Sequence, residues 1–220
     1  MADHKALTAL DPPRDCPLCP RLVEYRLAQR EAVPDGFNAP VPTFWPVDAP
    51  QLLVVGLAPG VSGANRTGRP FTGDFAGEIL YNALISHGFA RGVFRARPDD
   101  GLELCGAAVT NAVRCVPPKN KPTGPEINTC RPFLAETISA VAGTRVILAL
   151  GRIAHDTVLR TLGLKLSAYK FGHGAVHRPG SVIVADSYHP SRYNVNTRVL
   201  TPEMFDTVIA NVRRLVDDGA

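Results

Sequence analysis

Four of the five cysteines of this chain have the spacing of metal ligands. Cys16 and Cys19 form a Cys-Pro-Leu-Cys pair, and Cys115 and Cys130 follow roughly a hundred residues later, with fourteen residues between them. The chain does not begin with a basic segment followed by an apolar one, so we expect a cytoplasmic protein with reduced cysteines. Reduced cysteines in such a set are expected to be thiolate ligands rather than disulfide partners.

The number of cysteines alone leaves the bound group open, because four thiolates suit tetrahedral zinc as well as an iron-sulfur cluster. Zinc ribbons usually pair two short knuckles, whereas only one pair is short here, which favours the cluster. Four buried thiols without a metal are a third reading, which the polar, proline-rich surroundings of Cys16 disfavour. Cys105 has no partner at a suggestive spacing, and we expect it to be a small buried hydrophobe.

A second set of side chains suited to chemistry follows short apolar runs. The first run leads into Gly56-Leu-Ala-Pro-Gly60 and a glycine-rich loop that ends at Asp74. Asn111 lies at the end of the second run, and His189 follows the fourth. Ligands gather at the carboxyl ends of parallel strands, so the sequence predicts one shared site for these side chains.

The elements that must position these residues alternate along the chain. Apolar runs typical of buried parallel strands cover residues 52–58, 107–113, 145–150 and 182–185. Helix-like stretches cover residues 21–30, 75–87, 125–141, 153–162 and 202–216. This order predicts an α/β fold in which helices cover both faces of a parallel sheet.

Length and composition favour one soluble domain. The 220 residues are 45% hydrophobic, enough for one well-filled core, so we expect a single domain over residues 1–220. The sequence has no apolar run long enough to cross a bilayer. A net charge of +4 is compatible with a polyanionic partner but is too small to establish one.

The strand-end segments together resemble the uracil-DNA glycosylase superfamily, and within it the iron-sulfur-containing family 5, or type B, enzymes. The resemblance lies in the cysteine spacing and in Gly56-Leu-Ala-Pro-Gly60, Gly68-Arg-Pro-Phe-Thr-Gly-Asp74, Asn111 followed by Cys115, and His189-Pro-Ser-Arg-Tyr-Asn194. It implies a three-layer α/β/α sandwich around a four-stranded parallel sheet. It also implies a structural [4Fe-4S] cluster on Cys16, Cys19, Cys115 and Cys130, which would tether the N-terminal arm, residues 1–20.

The activity implied by the resemblance is monofunctional: hydrolysis of the N-glycosidic bond of uracil in DNA, which leaves an abasic site. Such an enzyme must extrude the base into a pocket. The resemblance places that pocket at Gly56, Leu57, Ala58, Phe71, Asn111 and His189. An aromatic ring can stack on the base, an amide can read the imide edge, and an imidazole can donate a hydrogen bond to the departing base. Taken singly, Phe71 could be a core aromatic, Asn111 a strand-end cap and His189 a turn residue.

The water-activating group differs from that of commoner relatives, because Leu57 and Ala58 carry no polar side chain where those relatives have a carboxylate or amide. Resemblance to the type B enzymes points to Asp74 as the substitute. The alternative role of Asp74 is the N-cap of the helix that begins at Phe75. An apolar first motif also leads us to expect room for hypoxanthine, and perhaps for xanthine, beside uracil.

DNA contacts are expected from the loops around the pocket. Arg192, Tyr193 and Asn194 could wedge into the base stack or hold phosphates, and Arg66 and Arg69 are further candidates. Arg114, Lys119, Lys121 and Arg198 complete the set of candidate phosphate contacts. Such contacts would make the affinity for DNA fall steeply with salt. We expect a monomer, since the enzyme has to surround one flipped nucleotide.

Two rival functions remain at this point. One is a non-catalytic, metal-stabilised nucleic-acid binding module, which would explain the cysteines and the charge. It would not explain why Phe71, Asp74, Asn111 and His189 follow strand ends. The other is a relative that stays covalently attached to the abasic product, and that reading needs a basic insertion before the His189 segment, which this chain does not clearly show.

Overall fold

A computed structural model describes residues 7, 9–141 and 143–218. The strands are β1 Leu52–Gly56, β2 Ala90–Arg91, β3 Glu103–Leu104, β4 Ala107–Asn111, β5 Val146–Leu150, β6 Val176–His177 and β7 Ile183–Ser187. The α-helices are α1 Pro20–Ala32, α2 Ala64–Thr67, α3 Phe75–Ser86, α4 Gly124–Ala140, α5 Arg152–Thr161, α6 Arg192–Asn196 and α7 Pro202–Asp217. Short 3-10 turns cover Pro118–Asn120 and Leu166–Ala168.

The main sheet has the strand order β4-β1-β5-β7-β6. β4, β1, β5 and β7 run parallel, as their continuous apolar patterns predict, and every residue of β1, β4 and β5 is buried. The predicted α/β class is therefore confirmed. The sheet has five strands rather than four, because the two-residue strand β6 adds an antiparallel edge beside β7. Two residues are too few to leave an alternating pattern in the sequence.

Helices cover the two faces of the sheet and complete the three layers. On one face, α3 and α7 pack against a core that includes Leu80, Leu84, Phe205 and Ile209. On the other face, α4 and α5 contribute Leu134 and Val158 to a second core. The strand ends are thereby held between two packed helical layers, and the loops that follow them converge at one edge.

Polar side chains fix the starts of the helices that were expected. The Thr123 side chain accepts from the Glu126 amide, and the Glu126 side chain accepts from the Thr123 amide, forming a capping box at the start of α4. Thr201 caps α7 by accepting from the Met204 amide. Pro125 and Pro202 occupy first-turn positions, where a missing N–H costs nothing.

Within the described part of the chain, no helix combines the length and the apolar character that a bilayer crossing requires.

Candidate functional site

A cavity of about 550 Å³ lies at the carboxyl ends of β1, β4 and β7. Its volume falls within the range of about 300–1,000 Å³ found for small-molecule sites. The structure brings six of the seven predicted catalytic and base-binding residues to its wall: Leu57, Ala58, Phe71, Asp74, Asn111 and His189. Residues separated by more than a hundred positions in sequence therefore share one chamber, as the parallel topology predicts.

Gly56 sets the spacing of the two groups expected to hold a base. In the sheet, Gly56 pairs with Asn111. A Cβ at Gly56 would lie 2.5 Å from Asn111 Oδ1 and 2.5 Å from Phe71 Cζ, so only glycine admits both side chains here. Phe71 itself has a φ of 52°, in the left-handed region that bulky residues rarely adopt. The surrounding loop must therefore hold this residue in place.

The His189 ring lies beside the Phe71 ring in the wall of the cavity. The two rings are stacked, with centroids 5.7 Å apart and an interplanar angle of 30°. Burial lowers the pKa of His189 to about 4, so the imidazole is neutral at physiological pH. The Asn194 side chain donates to the His189 carbonyl at 2.9 Å, and the Tyr188 amide donates to His173 Nδ1 at 3.3 Å. The main chain is thus tied on both sides of the imidazole.

Asp74 caps a helix and also lies in the wall of the cavity. Its Oδ1 accepts from the Gly77 amide at 3.1 Å, which makes Asp74 the N-cap of α3. Its Oδ2 lies against the Gly60–Gly63 turn, where a Cβ at Gly63 would come within 2.6 Å of it. Burial raises the pKa of Asp74, and the cap hydrogen bonds oppose that rise. The same carboxylate therefore caps a helix and forms part of the cavity wall.

A second, smaller cavity brings together Cys16, Cys19, Cys115 and Cys130, the four predicted ligands. Apolar side chains including Leu22, Val113 and Phe133 line it. Burial is the main cause that raises the pKa of Cys19 to about 11 and that of Cys115 to about 12, so these thiols are protonated unless a cation displaces the protons. The donor set, its largely apolar lining and the burial of Cys16, Cys115 and Cys130 fit a metal group.

Comparison with known proteins agrees with this architecture. The family model described as "Uracil DNA glycosylase superfamily" matches residues 42–213. The Type-5 uracil-DNA glycosylase of Thermus thermophilus is 44% identical over 206 residues, covering 91% of this chain and 93% of the relative. The chain belongs to the uracil-DNA glycosylase superfamily.

Further relatives share the same type. The Type-5 uracil-DNA glycosylase of Pyrobaculum aerophilum is 41% identical over 199 residues, covering 89% of this chain and 86% of that protein. The enzyme of the same name from Mycobacterium tuberculosis is 41% identical over 209 residues, covering 91% and 78%. The predicted family and the predicted class of enzyme, a glycosylase, are confirmed.

One expected DNA contact of this glycosylase is instead a structural ion pair. Arg69 is only 6% exposed, and its guanidinium donates to both oxygens of Asp100 at 2.8 Å and to Thr72 Oγ1 at 2.8 Å. Its guanidinium carbon also lies 5.3–5.7 Å from three aromatic ring centroids. This burial contradicts a phosphate contact by Arg69. The pair anchors the turn that presents Phe71.

The remaining candidates for DNA contact differ in exposure. Arg66, Arg192 and Tyr193 are exposed, and Tyr193 is 74% accessible. Arg192 also lies over the Phe75 ring at 5.6 Å from its centroid. Arg114 is fully buried and pairs with Asp11 at 2.6 Å, so it too cannot reach phosphate. An isolated basic residue in sequence carries no signal that separates these two outcomes.

Three residues that the sequence did not predict also line the cavity at the strand ends, called the base cavity below: Asn120, Ser191 and Phe75. Asp186, three residues before His189, lies between His155 Nδ1 at 2.7 Å and His177 Nε2 at 3.0 Å. For Asn120, its place in the basic loop after Cys115 was the available signal. For the set of His155, His177 and Asp186, the sequence carries no signal, because the three residues come from three separate elements.

Proposed function

We propose that this chain removes uracil and other deaminated bases from DNA by hydrolysing the N-glycosidic bond, leaving an abasic site. The observation that carries the proposal is the meeting of Phe71, Asp74, Asn111 and His189 in one cavity. A binding module without chemistry would not need a carboxylate and a neutral imidazole in the same chamber. The uracil-DNA glycosylase names of the relatives support the same reaction.

Binding of the base rests on its face and its edge. Phe71 offers a ring for stacking, and its carbonyl packs so closely on α3 that a Cβ at Gly77 would lie 1.8 Å from it. The Asn111 amide can both donate and accept, which matches the imide edge of uracil. The loop fixes the position of Phe71, and the absence of a side chain at Gly56 leaves room for Phe71 and Asn111 to lie close together. The pocket is therefore preorganised for an extruded base.

His189 assists departure of the base. Scission of the N-glycosidic bond leaves negative charge on the base, and an N–H directed at a base carbonyl oxygen stabilises that charge. The lowered pKa of His189 keeps the imidazole neutral, so it acts as a hydrogen-bond donor and does not need to transfer a proton. The Asn194 contact with the His189 carbonyl supports this orientation.

Asp74 is the proposed water-orienting group. Once its Oδ1 is engaged by the α3 amide, Oδ2 is left on the side of the Gly60–Gly63 turn and the cavity. A carboxylate there orients water towards C1′ of the sugar and stabilises the positive charge that the sugar develops. It thereby replaces the polar side chain that Leu57 and Ala58 lack.

The substrate range should extend beyond pyrimidines, since the cavity is large and its first strand-end segment is apolar. Duplex oligonucleotides that contain one deoxyuridine, one deoxyinosine or one deoxyxanthosine test this range. We expect excision of uracil and hypoxanthine, with xanthine as the weaker substrate, and no excision from an undamaged duplex. Clean rejection of deoxyinosine would remove the wider range, and rejection of all three would remove the proposed activity.

We further propose that Cys16, Cys19, Cys115 and Cys130 hold a structural [4Fe-4S] cluster. Base hydrolysis transfers no electron, so the cluster would supply architecture rather than redox chemistry. The convergence of these four thiols in one cavity with a largely apolar lining supports this assignment. It would tether the N-terminal arm, residues 1–20, to the body of a single domain. Visible absorbance and an iron content near four per chain test the assignment.

DNA binding would use exposed Arg66, Arg192 and Tyr193, with the Tyr193 ring available to fill the gap left by the extruded base. A monomer in the cytoplasm suits an enzyme that surrounds one nucleotide and keeps its cysteines reduced. Size-exclusion chromatography with light scattering tests the monomer.

A further inference from the structure

Arg26 lies in the wall of the cysteine cavity. It belongs to α1, which begins immediately after Cys19, and it is only 2% exposed. Its Nη1 donates to Cys115 Sγ at 3.6 Å, and its Nη2 donates to the Cys16 carbonyl at 3.1 Å. Its third nitrogen, Nε, is buried without a hydrogen-bond partner among the described residues. A charged side chain thus contacts two of the cysteine segments and has donor capacity left over.

The other buried arginines show what is unusual about Arg26. Arg69 pairs with Asp100 at 2.8 Å, and Arg114 pairs with Asp11 at 2.6 Å. Within the described part of the chain, no carboxylate oxygen lies within 4.0 Å of the Arg26 guanidinium. Its helix neighbours Arg21 and Arg30 each pair with one carboxylate. A guanidinium stays charged in proteins, and an unpaired buried charge is strongly unfavourable. Something anionic must therefore replace the missing carboxylate.

The four cysteines can supply that negative charge only as thiolates. Neutral thiols carry none, whereas four thiolates around a cluster leave a net negative charge on the assembly. We infer that Arg26 is the counter-ion of the group held by the four cysteines, and that its charge and its N–H donation raise the reduction potential of that group and slow its oxidative loss. This inference rests on the cluster proposed above.

The direction of the effect follows from charge. One-electron reduction of the cluster by an added reductant such as dithionite makes the assembly more negative, and a nearby cation stabilises the more negative state. Hydrogen bonds to ligand sulfurs act in the same sense. Arg26 would therefore favour the reduced form, and its removal would leave both the sulfur and the cluster less well stabilised.

The test uses the full-length holoprotein, purified without oxygen, in the forms wild type, Arg26→Gln, Arg26→Lys and Arg30→Gln. Arg30→Gln is the matched control, because Arg30 lies one turn further along the same helix and contacts Asp15 and the Asn38 carbonyl rather than a cysteine. The measurements are iron content, the reduction potential by optical titration, and the decay of the visible absorbance in air.

We expect the reduction potential of Arg26→Gln to be more negative than that of Arg30→Gln. We also expect Arg26→Gln to lose its visible absorbance in air about tenfold faster than wild type. A tenfold effect is at the lower end of what removal of a hydrogen-bond partner from a metal ligand causes. Arg26→Lys keeps the charge and should lie between wild type and Arg26→Gln. If Arg26→Gln does not fold, Arg26→Lys is compared with Arg30→Gln instead. Lysine keeps the charge but lacks the two guanidinium N–H groups that contact Cys115 and Cys16, so Arg26→Lys should still lose its cluster faster than Arg30→Gln.

Two outcomes overturn the inference. One is an iron-loaded Arg26→Gln, or Arg26→Lys where it alone folds, whose potential and decay match those of Arg30→Gln. The other is wild-type protein that contains zinc or no metal, which removes the cluster itself. Excision of uracil by such a metal-free or zinc-loaded protein would leave the proposed glycosylase function standing, so failure of the inference and failure of the function are distinguishable.

Discussion

The base cavity and the cysteine cavity lie on opposite sides of one short segment. Ala58 lines the base cavity and also packs against the cluster of Leu22, Val113 and Cys115 around the thiols. The base cavity is roomy and presents a carboxylate, an amide and an imidazole. The cysteine cavity is smaller, has a largely apolar lining, and presents thiols beside the buried guanidinium of Arg26. We therefore assign reactivity to the base cavity and architecture to the cysteine cavity.

That difference implies that substitutions at the two cavities should affect the rate of excision and the free energy of unfolding differently. Loss of a base-cavity side chain should reduce the rate of excision with little change in the free energy of unfolding. Loss of a cysteine-cavity group should lower the free energy of unfolding first, and excision only as a consequence. Measuring both quantities for each variant tests whether the division holds.

The largest effect should come from Cys115→Ala. Loss of one ligand should empty the cysteine cavity and release the arm that α1 carries, costing about 4 kcal/mol or more. For a chain of this length that corresponds to a fall of roughly 8–16 °C in Tm by thermal denaturation. Cys105→Ala is the control, because Cys105 is half-buried and does not line this cavity. Equal Tm values for the two variants would contradict an architectural role for Cys115.

Asp74→Asn should separate rate from stability most clearly. Asparagine caps helices about as well as aspartate, so α3 should persist and Tm should change little. Loss of the carboxylate should reduce single-turnover excision of uracil by about 10²–10⁴-fold. Asp206→Asn makes the same chemical change at an exposed position of α7, and this variant should retain the wild-type rate. Near-normal turnover by Asp74→Asn would leave Asp74 with only its capping role.

Gly56→Ala tests whether the main chain shapes the pocket. The added methyl group would meet both the Phe71 ring and the Asn111 side chain at 2.5 Å. Overpacking of this kind costs about 1–3 kcal/mol, which corresponds to about 5–150-fold in excision if it is expressed in base binding. Gly124→Ala is the control, since its Cβ would meet nothing within 4 Å. An unchanged rate in Gly56→Ala would mean that Phe71 and Asn111 need no fixed spacing.

The pH dependence gives a smaller and more diagnostic effect at His189. In the folded chain the pKa of His189 is about 4, against 6.5 for an ordinary histidine, so the unfolded chain binds a proton between these values and the folded chain does not. The contribution of His189 to stability is therefore present above pH 6.5 and falls as the pH drops towards 4. We expect the free energy of unfolding of wild type to decrease more over this range than that of His189→Gln. Equal slopes in chemical denaturation would contradict a neutral, buried His189.

The smallest effect concerns DNA affinity. Arg192→Gln should reduce the salt dependence of DNA binding by about one unit of slope, because it removes one phosphate contact. Arg69→Gln should leave that slope unchanged and instead lower Tm, because Arg69 pairs with buried Asp100. Binding curves at several salt concentrations measure the slope. A loss of slope in Arg69→Gln without a loss of stability would restore Arg69 as a DNA contact.

Much of the fold could be predicted because its signals are local. The run 146–150 is apolar throughout and lies between Arg145 and Gly151, and Thr123 with Pro125 indicates the start of α4. The site could be predicted in outline because parallel strands end at one edge, and because the motifs around Asp74 and His189 resemble those of a known family.

The parts that sequence did not predict depend on partners far apart in the chain. Arg69 is buried because the carboxylate of Asp100, 31 residues away, accepts hydrogen bonds from its guanidinium. Arg114 is buried because Asp11, in the N-terminal arm, accepts a hydrogen bond from it. No spacing rule relates Arg26 to Cys115 either. Exposure of a charged residue is decided by such tertiary pairing, so basic residues in sequence could be counted but not sorted into surface and core.

The most direct test of the proposed chemistry is incubation of the purified chain with a labelled duplex that contains one deoxyuridine, followed by analysis of free base and of strand breaks before and after alkali. We predict release of free uracil, with breaks that appear only after alkali treatment, as a monofunctional glycosylase requires. Intact strands with no free base, from protein that nevertheless binds the duplex, would contradict this mechanism and favour a metal-stabilised binding module.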